Sequence, residues 1–216
     1  MSNFRVNLVN MNTVRGYVMT ARARSTAATG ERILDATVEL FVERPYAHTT
    51  LRDVADRAGV TVQTVIRRFG DKEGLTAAAA DRSRAQVLTH RDAAPIGDVE
   101  GAVDNLVTHY EDVGGLVLRL LAEEDSVPEL AAMTAEGRVA HRDWCSRVFA
   151  PYLAPLRGAD RTRRLAQLVA VCDVYTWKLL RRDAGLSQRQ VATALVELLE
   201  PLTTPSVNRA APPKGQ

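Results

Sequence analysis

Apolar residues return along this chain at intervals of three and four, with no alternating strand pattern, so the periodicity predicts helices throughout. The most punctuated stretch lies between Thr49 and Leu75. Leu51, Val54, Ala55 and Ala58 mark one buried helical face, and Thr50 followed by Asp53 is a near-match to a capping box that would start that helix. Gly59 comes next and would end the helix in a left-handed conformation, with Val60 plugging the corner. Thr61 is placed to cap a second helix from Val62 to about Arg68, with Val65 and Phe69 facing inward. Val62, Gln63, Thr64, Ile66, Arg67 and Arg68 are then left to solvent or a partner. Asp71 would cap a third helix. Two short helices joined at a glycine form the layout of a helix-turn-helix, which sets one helix into the DNA major groove. Lys72, in the first turn of the third helix, opposes the helix dipole, and a phosphate nearby would relieve it.

The remainder reads as helix after helix. One long helix runs from Asp71 to about Ala93 and is ended by Pro95 and Gly97. Val99, Val103, Leu106, Val107 and Tyr110 form the stripe of the next, which Gly114-Gly115 is predicted to break, leaving a short apolar helix from Leu116 to about Glu124. Pro128 starts another, with Leu130, Met133, Trp144 and Val148 inward, and Pro151 and Pro155 bracket a break. Asp160 is placed to cap a helix to about Asp183, striped by Leu165, Leu168, Val169, Cys172 and Leu179 and ended by Gly185. Ser187 with Gln190 makes a capping box for the last helix, whose apolar face is Val191, Leu195, Leu198 and Leu199. The tail after Pro201 is Pro-rich and is expected to be disordered. The expected fold class is all-α, with a three-helix helix-turn-helix domain ahead of a larger helical domain. The expected divisions are a flexible basic arm (1–26), the DNA-binding domain (27–74), the helical domain (75–202) and the tail (203–216).

Composition changes this picture little. A chain of 216 residues is ample for a core, and a net charge of +2 would not by itself reveal a DNA binder. Eight acids, from Glu31 to Glu73, offset the Arg and Lys of the motif domain, so its positive groups must be sorted to one face. The segment before Gly30 holds Arg5, Arg15, Arg22 and Arg24 and no acid. It reads as a basic arm, disordered over residues 1–18, with Arg22 and Arg24 the better placed to reach DNA. Met1, Met11 and Met19 are alternative starts. No long apolar run marks a membrane span or a signal peptide, so a cytoplasmic location is expected. The two cysteines, Cys145 and Cys172, lie on apolar stripes and read as small hydrophobes rather than a disulfide framework.

From about Arg32 to Leu75 the chain resembles the N-terminal domain of tetracycline-repressor (TetR) family transcriptional regulators. The resemblance is carried by Ile33, Ala36, Leu40, Phe41, Thr49-Thr50, Ala55, Ala58-Gly59-Val60, Thr64, Phe69, Lys72, Glu73 and Leu75. The segment Trp177 to Ser187, WKLLRRDAGLS, is similar to the join between the last two helices in a subset of them. Two positions depart from the pattern: Pro45-Tyr46 stands where the family has Gly before the aromatic, and Ile66 where it has a phosphate-reaching Tyr.

The resemblance implies a sequence-specific DNA-binding regulator, a repressor released by a small, largely apolar effector. Thr50 and Arg52 would touch phosphates; Thr61, Val62, Gln63, Thr64, Arg67 and Arg68 would lie along the groove; Lys72 would clamp the backbone. Within that set, Gln63 has the chemistry to pair with adenine and an arginine to pair with guanine, whereas Arg52 and Lys72 position without reading sequence. The resemblance also implies a homodimer on a palindromic operator, with Leu165, Leu168, Trp177, Leu180, Leu195 and Leu198 as interface candidates. An effector site in the middle helices would draw on His109, Tyr110, Leu118, Leu121, Trp144, Phe149, Asp173 and Tyr175.

Other chemistries find less support. His141 and Cys145 have metal-ligand spacing, but no second pair accompanies them, so neither metal nor cofactor is expected. Catalytic motifs are absent, and nothing orders His109, Glu111, His141 and Asp173 into nucleophile, base and orienter, so an enzyme is not expected. The alternatives that remain are a helix-turn-helix protein whose C-terminal domain binds another protein, and a helical enzyme.

Overall fold

The computed structural model describes residues 11–204 and is helical throughout, with no strand among the described residues. It divides into two compact units between Asp81 and Arg82.

In the first unit, α1 (Met11–Glu43) is followed by a single 3-10 turn (Tyr46–His48), α2 (Leu51–Ala58), α3 (Val62–Phe69) and the start of α4 (Lys72–Asp92). The helix from Met11 corrects the sequence expectation of a flexible arm over 1–26: residues 11–26 belong to α1, while 1–10, with Arg5, lie outside the described residues. The reason is compositional. Ala21, Ala23, Ala27 and Ala28 with interspersed arginines are strong helix formers, and no proline interrupts them before Pro45. Ile33, Leu40, Val54, Ala55, Val65 and Leu75 are at most 1% exposed and form the small core that α1 shares with α2 and α3.

In the second unit, α5 (Val99–Glu123), α6 (Pro128–Val148), the short α7 (Ala150–Leu153), α8 (Gly158–Val171), α9 (Val174–Lys178) and α10 (Gln188–Thr203) enclose one core. A π-helical turn, Leu179–Asp183, continues α9. Ser187 and Gln190 form the expected capping box, and Pro128 stands in the first turn of α6. Thr203, expected in the tail, belongs to α10; residues 205–216 lie outside the described residues.

Two helix boundaries differ from the sequence reading. Gly114-Gly115 does not break α5, which runs through to Glu123 and absorbs the separate helix expected from Leu116. These glycines serve close packing. A methyl group added at Gly114 would come within 2.7 Å of Trp177 Cζ3, so the indole lies directly on the helix backbone. Gly114→Ala is expected to lower stability by about 1–2 kcal/mol, because displacing a packed ring outweighs a helix-propensity gain of about 1 kcal/mol. A higher urea midpoint for this variant would show that the ring yields freely. The helix expected from Asp160 to Asp183 is likewise divided: α8 stops at Val171, and Asp173 caps α9 by accepting from the Tyr175 N–H at 2.9 Å.

The dimer candidates also need correction. Leu165, Leu168, Trp177 and Leu195 are 0–5% exposed and belong to the core of a single chain. These four side chains are covered by their own chain. Leu198 is 46% exposed and Leu180 half-buried.

Candidate DNA interface

The reading motif is built by local hydrogen bonds. The Thr50 hydroxyl accepts from the Asp53 N–H at 3.2 Å, and the Asp53 carboxylate accepts from the Thr50 N–H at 2.9 Å, closing the capping box at the start of α2. The Thr50 hydroxyl also donates to the Asp53 carboxylate at 2.7 Å, and this bond first, then that from the Thr50 N–H and the charge of Arg44 at 3.5 Å, hold the Asp53 carboxyl below its ordinary range. Gly59 ends α2 at φ +65°, a conformation that favours glycine. Thr61 then caps α3 by accepting from the Thr64 N–H at 3.2 Å, and the two threonine hydroxyls are 2.9 Å apart. With the caps satisfied, α3 is short and its register is fixed.

Register decides what α3 presents. Val65 is 0% exposed and marks the inward direction. At 100° per residue, Gln63 and Arg67 point almost directly away from it, Thr64 and Ile66 stand at the two sides, and Val62 and Phe69 flank the core. Gln63 and Arg67 are both exposed, as is Ile66 at 40%. The outer face of α3 therefore carries an amide and a guanidinium side by side, with a threonine and an isoleucine methyl surface beside them. These are the groups that hydrogen-bond to base edges and pack on thymine methyls in a major groove. Thr50 and Arg52 are exposed at the start of α2.

Two placements differ from the sequence expectation. Arg68 turns back onto α1: a methyl group on Gly30 would lie 2.3 Å from its Nη2, so the guanidinium covers the buried Gly30 backbone instead of lying along the outer face. Lys72 is half-buried, donates to the Tyr46 carbonyl and lies 3.8 Å from the centre of the Tyr46 ring. A further element escaped the sequence reading. Arg57 on α2 forms a two-pronged pair with Glu43 of α1, at 2.8 and 2.7 Å, and reaches Glu39 at 3.2 Å. The pair keeps the Glu43 carboxyl below its usual range. It also accounts for two acids of this unit, Glu39 and Glu43, which face Arg57 from α1. The only sequence signal was the shared i, i+4 face of Glu39 and Glu43, which names no partner.

The eight effector candidates separate in the structure. Tyr110, Trp144 and Phe149 are core residues at 0–5% exposure, His109 is buried, Leu118, Leu121 and Asp173 are half-buried, and Tyr175 is 51% exposed. A cleft of about 460 Å³ between α8 and α10, lined by Asp160, Arg163, Arg164 and Gln167 among others, involves none of them. Cys145 Sγ lies 3.8 Å from His141 Nε2, and no group of three or more potential metal ligands occurs among the described residues. No helix among them is long and apolar enough to cross a membrane.

The capped pair of helices, their glycine corner and the polar outer face of α3 define a helix-turn-helix DNA-binding protein. Residues 33–79 match the family model for bacterial regulatory proteins of the tetR family. The HTH-type transcriptional repressor Rv3405c of Mycobacterium tuberculosis is 30% identical over 147 residues, which cover 59% of this chain and 77% of that protein. An uncharacterized HTH-type regulator, YvkB of Bacillus subtilis, is 42% identical over 50 residues, 23% of this chain and about a quarter (26%) of that protein's length. Among solved structures, a transcriptional regulator from Rhodococcus sp. Rha1 superposes with a TM-score of 0.64 at 20% identity, covering 80% of this chain and 95% of that one. The SmeT–triclosan complex superposes at 0.63 and 18% identity, covering 81% and 90%. The chain belongs to the TetR family and is a DNA-binding transcriptional regulator.

Proposed function

We propose that the chain acts as a homodimeric repressor, which sets α3 of each subunit into the major groove of a palindromic operator and is released by a small, largely apolar effector. The observation that carries the reading is the outer face of α3, where Gln63 and Arg67 stand together on a helix locked by its cap. The name of the mycobacterial relative supports the repressor role, and the triclosan complex of a structural neighbour supports a small-molecule effector. α4 runs unbroken from Lys72 to Asp92 across the division at Asp81 and is the covalent route by which the second unit influences the first. Release requires the effector to bind one conformation of the protein better than the other.

The roles within the interface follow from chemistry. Gln63 and Arg67 read bases. Thr50, Arg52 and Lys72 position the motif on phosphates. Thr61, Val62 and Thr64 line the groove, and Arg68 acts from the α1 side.

Selection from a randomised double-stranded DNA pool tests this reading. Enrichment of a palindrome with half-sites about one helical turn apart, and a steep salt dependence, is expected. Failure to enrich any sequence sinks it. On the selected operator, Gln63→Ala should cost roughly 1–3 kcal/mol and relax specificity at one base position, whereas Lys72→Ala should weaken all sequences and flatten the salt slope. Equal weakening of every sequence by Gln63→Ala would overturn the division of roles.

A further inference from the structure

α3 has four exposed residues, Gln63, Ile66, Arg67 and Arg68. Three of them carry hydrogen-bonding side chains; Ile66, 40% exposed, carries only hydrocarbon. Base reading by Gln63 and Arg67 leaves Ile66 without a role.

The direction of Ile66 follows from the register of the helix. Val65 is 0% exposed and faces the core. Successive residues turn by about 100°, so Ile66 stands about 60° from Gln63 around the helix axis and about 40° from Val62. Arg68 lies about 160° from Ile66, on the opposite flank. That flank faces α1, because the Arg68 guanidinium covers the Gly30 backbone. Ile66 therefore stands on the flank turned away from α1, next to the amide of Gln63. Val62, one turn earlier on the same flank, is half-buried and packs against the core. Val62 and Ile66 form a short apolar strip that leads from the core to the edge of the reading face.

A phosphate is no partner for this strip. It offers charge and acceptors, and an aliphatic group laid on it removes water from the anion and returns no hydrogen bond. The edges of the bases in a major groove offer one apolar group, the C5-methyl of thymine. Isoleucine is also stiff: two heavy atoms on Cβ leave one strongly preferred χ1 rotamer in a helix, so its methyl surface is in place before contact. A lone surface aliphatic is ordinary on a protein. This one adjoins a glutamine on a short helix whose start is fixed by the Thr61 cap, where apolar contact carries sequence information.

We propose that Ile66 is a specificity-determining residue, which packs on a thymine C5-methyl beside the base pair addressed by Gln63. The proposal rests on the reading of α3 as the base-reading helix, and it adds to each half-site a requirement for a methyl group, separate from any hydrogen bond.

The test uses the full chain and the operator recovered by selection. Each thymine of a half-site is replaced in turn by deoxyuridine, which keeps the base pair and removes only the methyl. Affinity is read by fluorescence anisotropy at fixed salt. One replacement is expected to weaken binding by the unaltered chain roughly four-fold, the effect of losing one buried methyl group. Ile66→Ala should bind the two forms of that operator alike, and Ile66→Val should retain most of the discrimination. Alanine is the stronger helix former at this exposed position, so folding is preserved. A merely structural Ile66 would, on substitution, weaken both forms by one factor and leave their ratio unchanged, which would overturn the proposal. So would an operator indifferent to every such replacement, or a half-site without thymine. Recovery of no operator at all would remove the reading role of α3 itself, whereas a recovered operator blind to the methyl removes only the role of Ile66.

Discussion

Phe149→Ala is expected to cost about 3–5 kcal/mol of stability, the range for emptying a large aromatic site in a closed core. Phe149 is 0% exposed, meets Trp144 edge-on at 6.2 Å between ring centres, and packs in the same core as Leu153 and Leu168. Native stabilities are of order 5–15 kcal/mol, so the variant would sit near the edge of folding at growth temperature. Chemical denaturation of the full chain measures the loss. The size of the effect separates two roles given to this residue. A ring lining an effector site could be trimmed at small cost in stability, and a loss under about 1 kcal/mol would return Phe149 to that class.

Acid should act nearly as strongly, through His109. Burial, then the charges of Arg91, His90 and His141, pushes its pKa from 6.5 down to about 3. The unfolded chain therefore binds a proton between these values that the folded chain refuses. The stability due to neutral His109 is fully present above pH 6.5 and is lost as pH falls from 6.5 towards 3. Each pH unit inside that window removes roughly 1.4 kcal/mol, or about 3 kcal/mol by pH 4. Carboxylates titrate over the lower part of the same window, so the contribution is isolated by comparison with His109→Gln. The substituted chain should lose stability less steeply between pH 6.5 and 4.5. Identical slopes for the two chains would refute the assignment.

What could be read from the sequence was local. The caps of Thr50, Thr61 and Ser187 and the left-handed Gly59 each depend on residues within a few positions, and all form as the spacing implied. The polar set on α3 was visible for the same reason. Features fixed at long range were not. Arg68 looks like an outward charge until Gly30, on another helix, is seen to lie beneath it. Gly114 looks like a helix break because glycine signals both weak helix propensity and close approach, and only the position of Trp177 separates the two. Leu165, Leu168 and Leu195 show the same ambiguity in another form: periodicity marks a face as buried, but does not say whether its own chain or a second copy covers it.

The attachment of Lys72 to Tyr46 has a consequence for how the protein meets DNA. A free lysine on a surface samples many rotamers, and fixing one costs up to about 2 kcal/mol of side-chain entropy. Here the ammonium is already held by the Tyr46 carbonyl and lies over its ring, so most of that freedom is surrendered when the chain folds. In its proposed role on the phosphate backbone, Lys72 would arrive preorganised, and little further ordering would be charged to the encounter. Tyr46→Ala would remove the ring but leave the carbonyl, and so return part of that freedom to the unbound protein. The penalty would then appear as a less favourable entropy of operator association, with the charge and its salt dependence unchanged.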